Sequence, residues 1–549
     1  MMKKVSTVLV ENLKRLGITH VFGIPGKAIV PLLVECEHYD IQFVLARHES
    51  GAGFAAAGYA LKKRIGVALG TSGPGGTNLL TAAGQAKAYH SPTLFITGHP
   101  SAKDTGKAQG QDSSIFGTDL VKMFEAVTLF SARVDRGDQL ELLFKHAIEK
   151  ATSGIKGPVH LSIPMDILQE EIPAFTVDVP TFKSTVVSNQ LDTVITKLNE
   201  AENPVLFLGK GVHLSRAYEE VRWLAEQWQV PVMTTPGGKG TFPTNHLLSL
   251  GAFGLGGNEK ATRFLEDRVD QMIVIGSKLS DMSLAGFSEA VYPKQLIQFD
   301  FDPTFVQKSL PLPTLYIQGD IKANLVELQR KSRVKSVEIK RTPRYTEYLE
   351  ENDAPSDINE NEAYLSAKQA IKVVRKYLPK DSILFGDDGS HTFYAIKHYD
   401  IYEPGTFYFD DVFGTMGHAI GYAIGAKLAS PEKTIVCLTG DGCTFMHGTE
   451  IATAVDQSLP VIYIVFNNIA LDMVDKGMRK MIGHSIGATY QHALDVTLFA
   501  ESLGATSYQC RNTEDIRNAI IQALKTDNGP TVVEVLVDPN ETPPILNRV

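Results

Sequence analysis

One segment restricts the fold more than any other. The apolar run Thr434-Ile435-Val436-Cys437-Leu438 reads as a buried strand, and Gly440-Asp441-Gly442 as its exit turn. A helical run from Gly448 to Gln457 follows, then a second strand, Pro460 to Phe466, which delivers Asn467-Asn468. Asp441 and Asn468, 27 positions apart, therefore stand at the carboxyl ends of two strands. A carboxylate and a side-chain amide so placed can share a hard divalent cation that keeps open positions for phosphate oxygens and water, as magnesium is usually held. The glycines let the backbone approach a diphosphate closely. Gly and Asp also serve as plain turn formers; the distance to the asparagines and the strand-helix-strand setting favour the cation site.

A second constellation lies near the other end of the chain. Phe43 to Ala46 reads as a short strand running into Arg47-His48-Glu49-Ser50-Gly51-Ala52-Gly53, and an Ala/Gly-rich helix, Ala52 to Leu61, follows. A glutamate at a strand end, followed by small residues that allow close packing, is a candidate buried carboxylate, and burial favours the protonated form of such a group. Taken alone, a helix N-terminal glutamate facing the dipole explains Glu49 equally well. Thr71 to Asn78 is a Gly-rich turn between a strand and a helix, a place where backbone N–H groups can hold an anion.

Together these motifs resemble the thiamine-diphosphate-dependent enzymes over essentially the full chain. The resemblance implies Mg²⁺ held by Asp441, Asn468 and the Ala470 carbonyl, with Gly440, Gly442 and Cys443 beside the diphosphate. It implies that Glu49 bonds N1′ of the aminopyrimidine and promotes the imino tautomer, whose imine removes the thiazolium C2 proton. Met416, in the run Asp411 to His418 and 25 residues before Asp441, would wedge beneath the cofactor, and the Gly414 carbonyl would receive the 4′-amino proton. Gly389-Ser390-His391, after the strand Ile383 to Phe385, would touch the diphosphate. Thr71 to Asn78 would support the site rather than bind phosphate.

The acetolactate synthase branch is nearest, on the runs Val21 to Gly26, Thr234 to Pro243 and Phe299 to Pro303. In that branch Gly26, Lys27, Phe116 and Lys239 fall at positions bordering the substrate. The chain departs from the pattern at Lys27, where a second glycine is usual, and at Gly117, where a glutamine is usual. Leu471 to Met478 also lacks the Trp/Gln/Arg residues of the branch. Lys27, His90 and His99 are therefore either a pocket for a different, anionic carbonyl substrate or solvated surface residues.

At 549 residues the chain is too long for one core. The expected fold class is α/β, with three doubly wound parallel-sheet domains: pyrimidine-binding (1–178), central (189–331) and diphosphate-binding (362–549), with a linker over 332–361 and a connector at Val179 to Ser188. Expected strands are Val21-Phe22, Phe43 to Ala46, Gly66 to Leu69, Thr93 to Thr97 and Val159 to Ile163 in the first domain. In the second they are Val205 to Leu208, Val232 to Thr234, Gln271 to Ile275, Leu296 to Phe299 and Thr314 to Ile317. The central run Val205 to Gly211 resembles the opening of a dinucleotide fold, but Gly-x-Gly without a third glycine is a weak signal. Gly251, Gly254 and Gly257 sit where flavin-holding relatives have a glycine-rich loop, whereas Ser277 to Met282 replaces their Arg/Phe/Asp-rich segment. FAD is accordingly a secondary cofactor expectation.

No apolar run reaches membrane-spanning length, and Val5 to Leu16 reads as an amphipathic helix rather than a signal peptide. Four cysteines without paired or metal-ligand spacing suggest reduced thiols in a cytoplasm. A net charge of −9 without a basic block argues against nucleic acid as main partner. The resulting expectation is ThDP- and Mg²⁺-dependent decarboxylation of a pyruvate-like 2-oxo acid, with transfer of the carbanion to an acceptor carbonyl. Alternatives are a flavin-linked 2-oxo acid oxidase, a simple decarboxylase, and a non-catalytic binding or assembly protein. The resemblance further implies a homodimer or homotetramer with sites between subunits, the small-residue helices Ala52 to Ala60 and Ala419 to Ala429 suiting such an interface.

Overall fold

The computed structural model describes residues 1–178, 186–333 and 364–545. Most of the connector at Val179 to Ser188 and nearly all of the linker expected over 332–361 lie outside the described residues. Three six-stranded sheets, each parallel throughout, carry the chain. In chain order the first comprises His20–Gly23, Gln42–Leu45, Gly66–Gly70, Thr93–His99, Ser131–Arg133 and Val159–Pro164. The third comprises Ile383–Gly386, Phe407–Phe409, Ile435–Gly440, Val461–Asn467, Thr506–Cys510 and Thr531–Leu536. Numbered within each domain, both sheets run 2-1-3-4-6-5 across, so the first and third domains share one topology. The central sheet (Pro204–Leu208, Val232–Thr234, Ser249–Ala252, Gln271–Ile275, Gln295–Asp300, Thr314–Gln318) runs 3-2-1-4-5-6, the dinucleotide-binding order. Met2–Lys4 pairs antiparallel with Glu171–Pro173 and ties the two ends of the first domain together.

One local expectation is corrected. Gly440-Asp441-Gly442 is not a turn before a later helix. The strand continues through Thr439 to Gly440, paired with Val465 and Phe466, and a helix begins at once over Asp441–His447. A 3₁₀ turn at Gly448–Glu450 and a helix at Ile451–Asp456 complete the crossover. An aspartate in a first helical turn faces the unpaired N–H groups there, which stabilises the charge and the helix start together.

Two helices join the outer domains. Helix α1 (Glu49–Lys62) is buried from Glu49 to Ala60, and α2 (His418–Ala429) is buried at every position but Leu428. A β-carbon added at Gly425 would lie 1.8 Å from the Ala55 carbonyl oxygen, and one at Gly58 would lie 2.3 Å from the Tyr422 carbonyl oxygen. The two backbones therefore touch directly, which only residues without side chains permit. The small residues of both helices serve contact between the first and third domains of one chain. The hydrophobic core is continuous across that contact, whereas the central domain has separate cores on the two faces of its sheet.

A polar node links all three domains. The fully buried Asp410 carboxylate accepts from Gln85 Nε2 of the first domain (2.6 Å) and from Lys210 Nζ of the central domain (3.0 Å). Pairing and hydrogen bonding at both oxygens offset the cost of burying that charge. Among the described residues, no helix is long and apolar enough to cross a membrane.

Candidate functional site

In the third domain the strand order reverses between Ile383–Gly386 and Ile435–Gly440, and a crevice opens at the carboxyl ends of the strands there. Ten of the residues singled out from sequence line one pocket at this point. They are Gly389, Ser390 and His391 after the first strand, Met416, Gly440 to Cys443 after the second, and Asn468 and Ala470 after Val461–Asn467. Asp441 is 3% exposed; its Oδ1 accepts from the Gly442 N–H at 2.9 Å, while its Oδ2 is buried without a hydrogen-bond partner. Burial, partly offset by the Gly442, Ile469 and Ala470 N–H groups, pushes its carboxyl up to about 6. An orphaned, desolvated carboxylate oxygen is costly unless a cation or donor meets it. Among the described residues, no three His, Cys, Asp or Glu side chains cluster to hold a metal ion. Asp441, Asn468 and Ala470 line the pocket together, and a carboxylate, an amide and a carbonyl are a donor set that could hold magnesium with room for phosphate oxygens and water.

The two asparagines separate in role. Asn467 donates to Leu494 O (2.9 Å) and Glu534 Oε1 (2.6 Å), so it fastens the strand end. Asn468 faces the pocket. The chain turns between Asn468 and Ala470 through Ile469, at φ 64°. A β-branched residue is rarely held in the left-handed region, and such strain clusters at functional turns.

Sequence reasoning missed the buried pair Asp387 and His418. Asp387 Oδ1 accepts from the Gly417 N–H (2.8 Å) and the Asp388 N–H (3.0 Å), and Oδ2 from Thr439 Oγ1 (2.8 Å). His418 Nδ1 stands 3.2 Å from the same carboxylate and 2.6 Å from the Thr415 carbonyl. The pair thus fixes the Gly414–Gly417 loop against the strand end. Gly414 takes φ +69°, where a β-carbon would come 3.0 Å from Asp388 Oδ2; it lies beside the pocket without lining it. Burial brings His391 down to about 4, against the opposing pull of Asp387, so its imidazole is neutral near pH 7. Its Nε2 is buried and unpartnered. Cys443 donates its thiol to the Asp388 carbonyl (3.2 Å).

Glu49 is the first residue of α1, capped by the His48 ring, which accepts from the Ser50 N–H. It is 8% exposed and accepts from Asn78 Nδ2 at 2.9 Å, while Ser50 Oγ donates to the Asn78 carbonyl at 2.5 Å. The Thr71 to Asn78 segment therefore steadies Glu49. A second residue absent from the sequence reading, Glu450 of the third domain, accepts from the Arg47 and His48 N–H groups (3.1 and 2.8 Å) and fixes the start of α1. Glu49 does not line the Asp441 pocket, whose lining lies wholly between Ala367 and Glu541.

The residues set at the substrate are dispersed. Gly26 packs on Thr71, whose side chain stands 2.4 Å from where a β-carbon would be. Lys27 is exposed and opens a 3₁₀ turn. Phe116 is 69% exposed. Lys239 is buried outside the Asp441 lining: its amine donates to the Ile396 carbonyl (2.6 Å), lies over the Phe407 ring, and is brought down to about 7 by burial. His99 ends the strand Thr93–His99 near Lys27, since Ala28 packs on Gly98. His90 precedes the same strand and stands at its opposite end, about 20 Å away by the rise of a seven-residue strand. In the central domain the Gly-x-Gly pair is closed by its own chain. The Gly211 N–H donates to the Gly276 carbonyl (2.8 Å), and a β-carbon at Gly209 would lie 2.3 Å from that oxygen.

Family models match along the chain in the same order as its sheets. The N-terminal TPP binding domain of thiamine pyrophosphate enzymes matches residues 3–122, their central domain residues 191–328, and their C-terminal TPP binding domain residues 387–535. The chain is 30% identical to the acetolactate synthase large subunit of Corynebacterium glutamicum, covering 96% of this chain and 86% of that protein. Identity is also 30% to the probable acetolactate synthase large subunit of Methanocaldococcus jannaschii (99% and 93% covered) and to the acetolactate synthase of Mycobacterium leprae (96% and 86%).

Proposed function

Because this chain belongs to the thiamine pyrophosphate enzyme family, we propose that it uses thiamine diphosphate and Mg²⁺ to decarboxylate a pyruvate-like 2-oxo acid and join the resulting carbanion to an acceptor carbonyl. The orphaned Asp441 Oδ2, in a pocket lined by His391, Met416, Asn468 and Ala470, carries the reading. When bound, the cofactor supplies a thiazolium that accepts the electron pair released as CO₂ leaves. Asp441, Asn468 and the Ala470 carbonyl hold the cation. His391, whose Nε2 is buried and unpartnered, would donate to a phosphate oxygen in the tautomer that carries the proton on that nitrogen. Met416 and the Gly414 carbonyl, positioned by Asp387 and His418, support the aminopyrimidine, and Glu49 holds a proton at its ring nitrogen.

Glu49 stands outside the Asp441 pocket of its own chain, which supports sites completed by a second copy, in a homodimer or a pair of dimers. The likeness to acetolactate synthases supports carboligation over the oxidase reading. Titration with thiamine diphosphate and Mg²⁺, followed by circular dichroism, tests the assignment. Saturable, Mg²⁺-dependent binding is expected, and none at all would end it.

A further inference from the structure

A crevice of about 900 Å³ opens where the three domains meet, remote from the Asp441 pocket. It lies within the size range of small-molecule sites. Five permanent cations line it: Lys62, Lys63, Arg64, Lys156 and Arg216. Among the described residues no carboxylate lines it, although the protein as a whole carries a net charge of −9. Among the described residues, none of the five makes an ion pair. Asp320 acts on Lys156 from outside the crevice, yet burial first, and then Arg216 and Arg64, bring the lysine down from its ordinary value.

Two of these cations are built into place. Arg216 sits at φ 51° and donates from Nη2 to the Leu61 carbonyl (3.1 Å) at the end of α1. Lys62 donates to the Tyr408 hydroxyl (3.0 Å) and lies over that ring. Tyr408, Tyr218 and Tyr89 supply aromatic surface in the same crevice. A cleft lined by one sign of charge between low-dielectric walls concentrates the opposite sign, and the mutual repulsion of its cations is relieved when an anion enters. Arginine and lysine together suit phosphate, as bidentate and point-charge donors respectively.

We propose that this three-domain crevice binds a polyphosphate anion, either free or as the phosphate chain of a nucleotide. The test uses the full chain, loaded with cofactor and then desalted so that the Asp441 pocket is occupied. It is titrated calorimetrically with inorganic triphosphate and, separately, with ATP. One saturable site per chain is expected, weakening as salt rises. The double charge reversal Arg64→Glu/Lys156→Glu should weaken it at least tenfold with an unchanged melting temperature, and Lys63→Glu alone should weaken it less. Tighter binding of ATP than of triphosphate would assign the tyrosine surface to a base; equal binding would assign the phosphate chain alone. Absence of saturable binding for both anions, or equal affinity in the reversed variants, would overturn the proposal.

Discussion

At the residue scale, the two carboxylates proposed for the site, Asp441 and Glu49, stand in opposite surroundings. Asp441 has an oxygen with no protein partner, and Glu49 is held by Asn78. Asp441→Ala should abolish Mg²⁺-dependent cofactor binding in a titration. Glu49→Gln should still bind cofactor but lose on the order of 10²–10⁴ in turnover, the usual worth of acid-base assistance; a Glu49→Gln enzyme with full turnover would remove the residue from the chemistry. The Asp387–His418 pair makes a pH prediction. In His418 burial opposes, but the Asp387 bond prevails and raises the imidazole above 6.5; in Asp387 burial likewise opposes, but His418 and the other donors lower the carboxyl below 3.8. The carboxylate's contribution is present above 3.8 and fades as pH falls through its lowered value. The imidazolium's is complete below 6.5 and fades as pH rises through its raised value. The stability lost in Asp387→Asn should therefore be greatest near pH 5, about 3–5 kcal/mol for a broken buried pair, and smaller toward alkaline pH. Denaturant unfolding across pH checks this; a pH-independent difference would contradict it.

Legibility at this scale followed the length of the local signal. Asp441 and Asn468 stand out because strongly apolar strands precede both. Nothing in Asn467-Asn468 tells the fastening residue from the pocket residue, since the distinction depends on Glu534 and Leu494. Asp387 and Glu450 were missed for the same reason: their partners lie about 30 and 400 positions away in the chain.

At the element scale, α1 and α2 are held by contact between bare backbones. Gly425→Ala places a methyl 1.8 Å from the Ala55 carbonyl oxygen and should cost about 1–3 kcal/mol through overpacking. Gly477, inside the helix Asp472–Ile482, has open space where its β-carbon would go, so Gly477→Ala should stabilise by about 0.4–1 kcal/mol. Thermal melts of both variants test the contrast, and equal shifts would show that the helix contact is not tight. The strands legible in sequence were the continuous apolar ones. Ser131–Arg133, at a sheet edge and half-buried, and Ser249–Ala252, with Gly251 at φ +80°, lack that signature. The small-residue helices were recognised as close-packing, but which helix each meets is fixed by tertiary structure.

At the scale of the whole molecule, the sequence could suggest three α/β units but not that the outer two repeat one strand order, because that order is set by pairing between distant segments. The repeat places a strand-order switch point in each outer domain. If sites form between copies, mixing inactive Glu49→Gln chains with inactive Asp441→Ala chains under subunit exchange should restore activity, since one hybrid site receives both intact residues. Verified exchange without recovery would place Glu49 and Asp441 of a single chain in one site. The most direct test of the catalytic assignment is mass spectrometry of the reaction of purified protein with pyruvate, thiamine diphosphate and Mg²⁺. Loss of CO₂ coupled to a new carbon–carbon-bonded product, dependent on both the cofactor and the cation, is expected. A cofactor-saturated protein that leaves pyruvate and a panel of other 2-oxo acids untouched would contradict it.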